Sequence, residues 1–358
     1  MNTPSNMQSG APISGPEVWS GASLRDSTAW ILHLSEAEIA DIHNGFTHAK
    51  ATGKDLLALS RDDFPMPLMA ARFAAVRAEL EGGRGFTLLR GMPIDRYDMT
   101  ESRLLFWGLS QHLGDPQEQD GAGNRLHSVT NTGLRVEKGN SVRSYQTDDE
   151  LTFHNDGGDA FMLLCVRTAK SGGMSKLVSV AQLYNEVLRR RPDLVETLQQ
   201  PFHFDTRGQH RGGLKVQSVP IFNFHDGRLS ALYKRRYLLT AQDYPEVPRL
   251  SPQQQQAIDL IESLCKDPDV ILTFFMQPGD LQIANNYSVL HARERYDDFD
   301  DPALRRHLYR AWVTLPNGRP LPEVFGQSRE FATSYARRQA DLQAHSIPGD
   351  PHAFTTSL

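Results

Sequence analysis

This 358-residue sequence has few cysteines, no long apolar run and no excess of positive charge. Its two cysteines, Cys165 and Cys265, are too few for the framework of a disulfide-rich protein, and we expect two buried thiols. No stretch approaches the roughly 18 apolar residues of a membrane span, so we expect no membrane partner. The formal net charge of −5 offers no overall basic surface for nucleic acid. These shortages favour a globular protein whose partner is a small molecule.

The two ends of the sequence differ in composition from its centre. The first ten residues contain neither a basic nor an apolar segment, which predicts no secretory signal and a cytoplasmic location. Residues 1–20 and 326–358 are rich in proline, glycine, serine or polar side chains, so we expect an N-terminal and a C-terminal arm. A single domain is then expected over residues 21–325. The sequence leaves a homo-oligomer open.

Capping patterns indicate four helices. A serine followed three residues later by glutamate or glutamine is typical of a helix N-terminus, and proline favours the first helical position. Glycines after position 81 predict the end of one of these helices. The predicted helices run from Ser35 to about 49, from Pro67 to about 82, from Ser179 onward, and from Ser251 to about 266.

Short runs rich in β-branched and aromatic residues dominate the second half of the chain. Many short strands with turn residues between them favour a mainly β protein with flanking helices, built on a jelly-roll, cupin-like barrel. The mouth of such a barrel is suited to holding a metal and a ligand. The predicted strands are residues 85–90, the run around 163, and residues 221–224, 270–275, 281–284 and 308–315.

The tripeptide His154-Asn155-Asp156 is the strongest chemical signal. In an extended segment, alternate residues point to the same face, so His154 and Asp156 can both reach one ion. Two imidazoles and one carboxylate leave part of an iron(II) coordination sphere open. The pattern alone is weak, because a chain with 13 histidines can contain it by chance. A second imidazole from elsewhere in the chain is therefore needed.

His291 and two later arginines complete the candidate site. His291 follows a predicted strand and turn, although a polar residue satisfied at a strand end is the alternative. Arg306 and Arg310 share a face if their segment is extended, and a guanidinium can grip a carboxylate with two parallel hydrogen bonds. For Arg310, the alternative is an ion pair with a structural acid at the barrel rim.

From Phe86 to about Pro322, the chain resembles the taurine and 2,4-dichlorophenoxyacetate dioxygenase (TauD/TfdA-like) family. Members are iron(II)- and 2-oxoglutarate-dependent oxygenases built on a double-stranded β-helix. The order and spacing of several short segments carry the resemblance, since each segment alone is common. These segments are residues 85–91, 151–156, 169–175, 278–280, 285–286, 289–293 and 305–312.

The resemblance implies a role for each matching position. His154, Asp156 and His291 resemble the iron ligands and catalytic triad. Ser175 and Arg306 resemble the residues that bind the distal carboxylate of 2-oxoglutarate. Arg310 matches an arginine that binds the anionic group of the substrate in sulfonate-oxidising members.

Dioxygen is the second co-substrate that the resemblance implies. The expected reaction is hydroxylation, desaturation or cyclisation at a C–H bond of a small anionic or amino-acid-like substrate, with release of succinate and carbon dioxide. Asp156 argues against halogenation, because halogenating relatives have a small residue there. Asn155 departs from the threonine or serine common in relatives, so we expect it to support the site through hydrogen bonds.

Two alternatives stay open. One is a cupin-type metal dioxygenase that does not use 2-oxoglutarate, against which Ser175 and Arg306 speak. The other is a non-catalytic jelly roll that binds a small molecule, which requires the metal pattern to be accidental.

Other polar residues receive less specific interpretations. Tyr145 and Gln146 are expected to contact substrate, with a structural role as the alternative for the aromatic ring. Asp226-Gly227 predicts a hairpin turn rather than a second metal site beside His225. The run 234–236 is interpreted as structural or solvated charge, with a phosphate site as the alternative. His127 and His210 have no partner at ligand spacing, and residues 121–123 predict a loop.

Overall fold

The structure, a computed structural model, describes residues 8–134, 143–316 and 318–345. The helices in these ranges are α1 (Gly21–Leu24), α2 (Glu36–Ala51), α3 (Pro67–Gly82), α4 (Met99–Leu113), α5 (Val180–Arg190), α6 (Asp193–Leu198), α7 (Arg235–Ala241), α8 (Pro252–Leu264) and α9 (Ala332–His345). None of these described helices combines the length and the apolar character needed to cross a membrane.

The strands in the same ranges are short. They are β1 (Ile31–His33), β2 (Phe86–Arg90), β3 (Asp115–Gln117), β4 (Leu126–Val129), β5 (Leu151–His154), β6 (Ala160–Arg167), β7 (Ser171–Gly172), β8 (Ser175–Ser179), β9 (Pro201–Asp205), β10 (Val216–Pro220), β11 (Phe222–His225), β12 (Arg228–Ala231), β13 (Leu272–Phe274), β14 (Leu281–Asn285), β15 (Val289–Arg293), β16 (Tyr296–Asp297) and β17 (His307–Thr314).

The four helices predicted from capping patterns are confirmed. At the start of α2, the Ser35 hydroxyl accepts from the backbone N–H of Glu38, and the Glu38 carboxylate accepts from the N–H of Ser35. Ser251 and Gln254 form the same reciprocal pair before α8, and Pro67 opens α3. The two serine caps satisfy backbone N–H groups that have no partner within the helix.

Helix is more abundant than the prediction of a mainly β chain allowed. Helices, with short 3-10 turns included, account for 37% of the described residues and strands for 23%, so the protein combines sheets with many helices. Part of the difference is α4, which was not predicted although Asp98 and Glu101 form a capping box at its start. Much of the additional helix packs around the sheets and leaves the strand pattern unchanged.

Two sheets form the centre of the molecule. The larger has the order β1-β2-β14-β6-β17-β3, with β4 also paired to β17, and the smaller has the order β13-β8-β15-β5. The pairs within both sheets are antiparallel except β1 with β2. Each of the six predicted strands is present, although β13 is shorter than the predicted run because Val270 and Ile271 form turn hydrogen bonds to Asp267.

The hydrophobic core lies in layers on both sides of each sheet. Alternate side chains of a strand point to opposite faces, so Phe161 and Cys165 of β6 face the smaller sheet while Met162 and Leu164 face α2, α3 and α4. The outer face of the smaller sheet packs on α5, α6 and α8. The layer between the sheets includes Phe86, Phe161, Cys165, Leu177, Leu272, Val289 and Leu308.

A tight hairpin joins β11 to β12. His225 pairs with Arg228, which leaves Asp226 and Gly227 as the two loop residues, and both have positive φ angles of 46° and 64°. Glycine adopts such angles without strain, and aspartate tolerates them better than most residues. The predicted turn is confirmed.

Both cysteines are free and buried, as expected from the sequence. Cys165 lies in the layer between the sheets, where burial raises the pKa of its thiol to about 12. Cys265 follows α8, and burial raises the pKa of its thiol well above the usual value. Neither thiol is ionised at neutral pH.

Residues from both predicted arms contact the core. Ile13 and Trp19 are buried, and Arg338 of α9 forms an ion pair with the buried Asp159. The division into arms and one domain stays a prediction.

Candidate metal centre and active-site cavity

Three predicted ligand residues lie together on the smaller sheet. His154 ends β5, Asp156 follows two residues later, and His291 lies in the neighbouring strand β15. The strand register places His291 opposite His154, with their ring centroids 4.2 Å apart. Nε2 of His154 is 3.8 Å from Oδ1 of Asp156, and Nε2 of His291 is 3.7 Å from Oδ2.

The donor atoms of this trio fit a single metal ion. One ligand atom from each residue lies within 4.8 Å of the others. Metal bonds of about 2.1 Å permit two donors of one ion to lie up to about 4.2 Å apart, which accommodates the two histidine–aspartate distances. Two imidazoles and a carboxylate with further positions open are typical of non-haem iron(II) oxygenases.

The two histidines are neutral at pH 7, and neutral imidazole is the form that binds a metal ion. Burial lowers the pKa of His154, and it lowers the pKa of His291 well below its usual value. Nδ1 of His154 lies 2.8 Å from the carbonyl oxygen of Thr152 and donates a hydrogen bond to it. This hydrogen bond leaves the lone pair of Nε2 directed toward Asp156.

Arg310 keeps the carboxylate of the trio charged. Its Nη1 donates to both oxygens of Asp156, at 3.2 and 3.3 Å. Burial opposes ionisation, but Arg310 and His291 hold the pKa of Asp156 below its usual range. The acid that pairs with Arg310 is therefore Asp156, a candidate metal ligand. The sequence analysis considered a substrate anion or a structural acid at the barrel rim as the partner of Arg310, and did not anticipate a metal ligand.

Two asparagines fix the loop that carries Asp156. The buried Asn155 accepts from the backbone N–H of Tyr233 at 2.6 Å and donates to the carbonyl of Asn286. Oδ1 of Asn286 accepts from the backbone N–H of Asp156 at 3.2 Å, and its amide donates to Gly157 at 2.7 Å. The side chain of Asn155 thus supports the loop by hydrogen bonds, in keeping with the expectation for this position.

The residues predicted to hold 2-oxoglutarate lie near a second cluster. Ser175 of β8 is buried opposite Arg293 of β15. The guanidinium carbons of Arg293 and Arg306 lie 4.5 and 5.1 Å from the ring of Tyr296. Nη1 of Arg306 is buried without a hydrogen-bond partner in the described part of the chain. A carboxylate ligand would satisfy this donor, so the cluster fits the distal end of 2-oxoglutarate.

A cavity of about 720 Å³ opens beside the candidate metal centre. His154, Asp156 and Arg310 line it, as do the predicted substrate contacts Tyr145 and Gln146. The guanidinium of Arg310 lies 4.8 Å from the ring of Tyr145 and is held by Gln119 at 2.8 Å. His291, Ser175 and Arg306 are not among the lining residues.

Several lining residues were set aside or missed in the sequence analysis. Nε2 of His127 lies 3.0 Å from Asp120, whose carboxylate also anchors the predicted loop at 121–123. The run 234–236 lines the cavity throughout, and the buried Lys234 pairs with Glu330 at 2.8 Å. Glu330 lies 96 positions from Lys234, so no local pattern could indicate that pair. Asp120 lies only seven positions from His127, and the sequence analysis overlooked this pair.

Comparison with known proteins agrees with the geometry. Residues 50–312 match the family described as "Taurine catabolism dioxygenase TauD, TfdA family". FR-33289 synthase of Streptomyces rubellomurinus is 30% identical over 327 residues, covering 89% of this chain and 95% of that protein. The taurine hydroxylase-like protein SAT17 of Stachybotrys chartarum is 27% identical over 302 residues, covering 82% and 77%.

A solved structure shows the same fold. Asparagine oxygenase in complex with Fe(II), 3-hydroxyasparagine and succinate has a TM-score of 0.61 and 16% identity, covering 80% of this chain and 93% of that chain. The chain belongs to the TauD/TfdA family, because the family match spans most of its length. It is an iron(II)- and 2-oxoglutarate-dependent dioxygenase.

Proposed function

We propose that this dioxygenase oxidises a C–H bond of a small anionic substrate and converts 2-oxoglutarate to succinate and carbon dioxide. The position of the metal centre at a cavity of about 720 Å³ carries the proposal. Seven lysine or arginine side chains line this cavity, against four aspartates or glutamates. A cavity of this size accepts a small molecule, and the excess of cations favours an anion. An amino-acid-like anion falls within this class.

His154, Asp156 and His291 would hold the iron(II). Bound there with 2-oxoglutarate and dioxygen, iron(II) supplies the oxidant that removes hydrogen from the substrate. The neutral imidazoles and the charged carboxylate offer lone pairs without first losing protons at neutral pH. Hydroxylation, desaturation and cyclisation all begin with this removal of hydrogen.

Ser175 and Arg306 would bind the distal carboxylate of 2-oxoglutarate. The unsatisfied and buried Nη1 of Arg306 supports this role. Arg310 would serve both sides of the centre, since it fixes Asp156 and also lines the cavity. Tyr145 and Gln146 would contact the substrate from the segment before β5.

The double-stranded β-helix expected from the family is our interpretation of the two sheets. The inner faces of β6, β14 and β17 share one apolar layer with those of β8, β13 and β15. Phe161 of β6 lies 4.2 Å, centroid to centroid, from the ring of His291 in β15. Two facing sheets of this kind support a barrel with the metal centre at its rim.

Anaerobic spectroscopy followed by a substrate screen tests the proposal. Addition of 2-oxoglutarate to the iron(II)-loaded protein is expected to produce the visible charge-transfer band of an iron–oxo-acid chelate. Small carboxylates, sulfonates, phosphorylated compounds and amino acids are then screened in air for stimulation of succinate formation, and products are identified by mass spectrometry. Oxidation of a substrate without 2-oxoglutarate would favour the cupin-type alternative. Binding without oxygen consumption would favour the non-catalytic one.

A further inference from the structure

His127 lines the cavity, and the roles proposed for iron, 2-oxoglutarate and Arg310 do not use it. Its side chain is only 8% exposed. His127 lies in β4 directly opposite Arg310 of β17. Directly opposed residues of an antiparallel pair have their side chains on the same face of the sheet. The imidazole therefore lies on the face from which Arg310 reaches Asp156.

A carboxylate fixes which nitrogen of His127 carries the proton. Burial opposes ionisation of Asp120, but hydrogen bonds from Asn124 hold its pKa below the usual value, so it is charged at neutral pH. Burial and the charge of Arg310 lower the pKa of His127, which is therefore neutral and has one ring proton. Nε2 of His127 lies 3.0 Å from Oδ2 of Asp120, and a carboxylate can only accept. The proton is therefore on Nε2, and Nδ1 carries a lone pair.

The lone pair on Nδ1 of His127 has no donor. This nitrogen is buried and has no hydrogen-bond partner in the part of the chain that the structure describes. Most buried polar atoms in folded proteins are paired, because an unpaired one has lost its hydration without a compensating hydrogen bond. A purely structural role for His127, as a support for Asp120, accounts for Nε2 but leaves Nδ1 unexplained. A donor on a ligand in the cavity would satisfy it.

We infer that Nδ1 of His127 accepts a hydrogen bond from the substrate, whose group at this position is an ammonium or a hydroxyl. This inference rests on the proposed function and deepens it, because it adds a hydrogen-bond donor to the anionic group of the substrate. The ring of Tyr145 lies 5.4 Å from the ring of His127 and 4.8 Å from the guanidinium of Arg310. The acceptor and the guanidinium therefore flank one ring, and a small molecule can contact both.

Calorimetric titration of the iron(II)- and 2-oxoglutarate-loaded protein without oxygen tests the inference. The probes share a butyrate skeleton: butyrate has no donor, 2- and 4-aminobutyrate carry an ammonium, and 2- and 4-hydroxybutyrate carry a hydroxyl. We expect at least one donor-bearing probe to bind about tenfold more tightly than butyrate, which is the contribution of one good hydrogen bond. Comparison of the amino with the hydroxy compounds identifies the type of donor.

Two replacements of His127 separate its two nitrogens. The amide oxygen of asparagine can take the place of Nδ1, whereas the longer glutamine places its amide near the position of Nε2. His127→Asn should therefore keep the preference for the donor-bearing probe, and His127→Gln should reduce that probe to the affinity of butyrate. His225→Gln at the exposed hairpin is the control and should leave all affinities unchanged.

Asp120→Asn should reverse the polarity of Nδ1 while it preserves the loop. Oδ1 of Asp120 accepts from the backbone N–H groups of Ala122 and Asn124, and asparagine retains this oxygen. Its amide nitrogen would replace Oδ2 and donate to Nε2 of His127, which moves the ring proton to Nδ1. Nitrogen-15 NMR of the zinc(II)-loaded protein, with His127→Asn used to assign the signal, should show this change. The variant should also lose the preference for the donor-bearing probe.

Donor-bearing probes that bind no more tightly than butyrate to the wild-type protein would overturn the inference, whether or not a variant folds. A wild-type imidazole with its proton on Nδ1 would overturn it as well, because Nδ1 could not then accept. Equal preferences in His127→Asn and His127→Gln would also overturn it, since the preference would then arise from another residue. Failure of the proposed function has a different sign, the absence of the 2-oxoglutarate band in the wild-type protein.

Discussion

The metal centre and a group of basic side chains, the basic wall, line one cavity, but the chain assembles them in different ways. The basic wall consists of Arg143, Arg207, Lys234, Arg236 and Arg329. His154 and Asp156 are two residues apart, and His291 lies on the adjacent strand. The wall draws on four separate segments that only the complete fold brings together. A metal centre of this kind is visible in the sequence as a motif, whereas a surface for substrate is visible only in the structure.

The two regions also differ in charge. At the metal centre, Asp156 pairs with Arg310 and lies beside neutral histidines, and the three side chains offer lone pairs to one added metal ion. At the wall, Glu330 is shared by Lys234 and Arg329, so one carboxylate lies between two cations. The difference agrees with our proposal of a cavity that holds a metal on one surface and an anionic substrate on another. Variants that affect one surface alone can test this separation.

The largest effect is expected from the histidines of the metal centre. His154→Ala and His291→Ala should each abolish the visible band formed with iron(II) and 2-oxoglutarate, because each removes one of three protein ligands. Anaerobic absorption spectroscopy measures the band, and His225→Ala at the exposed hairpin is the control. A band of wild-type intensity would remove that histidine from the ligand set.

Substitution of Arg306 and substitution of Arg310 should impair the enzyme in different ways. Loss of a charged contact to a carboxylate costs about 2–5 kcal/mol, or tens- to thousands-fold in affinity. Arg306→Ala should therefore raise the 2-oxoglutarate requirement by such a factor. Arg310→Ala should retain 2-oxoglutarate binding yet lose substrate-stimulated turnover, because it affects Asp156 and the cavity.

Titration of 2-oxoglutarate against the visible band, with succinate formation measured in parallel, separates the two cases. Equal weakening of 2-oxoglutarate in both variants, with substrate affinity untouched, would place Arg310 in the co-substrate site instead.

Glu330 should contribute stability through the basic wall. Lys234 and Arg329 hold the pKa of Glu330 at about 2 against the effect of burial, while an unfolded glutamate titrates near 4.5. Its charged form is therefore stabilised in the folded state above pH 4.5, and this advantage is lost as the pH falls toward 2.

Glu330→Gln leaves two buried cations without their carboxylate and should lower the free energy of unfolding by about 3 kcal/mol at pH 7. Urea denaturation from pH 7 to pH 3 should show the difference from wild type shrinking below pH 4.5. A difference that grows on acidification would contradict the pairing.

The smallest effect is expected from Asn155. Asn155→Ala leaves the backbone N–H of Tyr233 and the carbonyl of Asn286 without side-chain partners, which should lower the free energy of unfolding by about 1–3 kcal/mol. Asn44→Ala on the exposed face of α2 should change it by less than about 0.5 kcal/mol. Urea denaturation measures both variants, and equal effects would mean that Asn155 does not fix the loop.

Local patterns account for what the sequence predicted well. The caps at Ser35 and Ser251 and the turn at Asp226 depend on residues within a few positions of one another, so the structure confirms them. The cap of α4 at Asp98 has the same local character and was overlooked. The run at 270–275 predicted a longer strand than β13, because the turn formed with Asp267 depends on the surrounding fold.

Long-range contacts account for what the sequence could not indicate. The ion pairs of Arg310 with Asp156 and of Lys234 with Glu330 join residues more than 90 positions apart. Neither residue type nor spacing marks such pairs. The sequence analysis interpreted residues 234–236 as structural or solvated charge. Arg143 and Arg329 join them around the cavity only in the folded chain, so the local sequence could not indicate the basic wall.

The position of Cys165 protects its thiol from oxidation. Only the thiolate reacts readily with oxidants, and a pKa of about 12 leaves on the order of one thiolate in 100,000 thiols at pH 7. The side chain also lies in the apolar layer between the sheets, away from solvent. An enzyme that activates dioxygen thus keeps the Cys165 thiol in a form that resists oxidation.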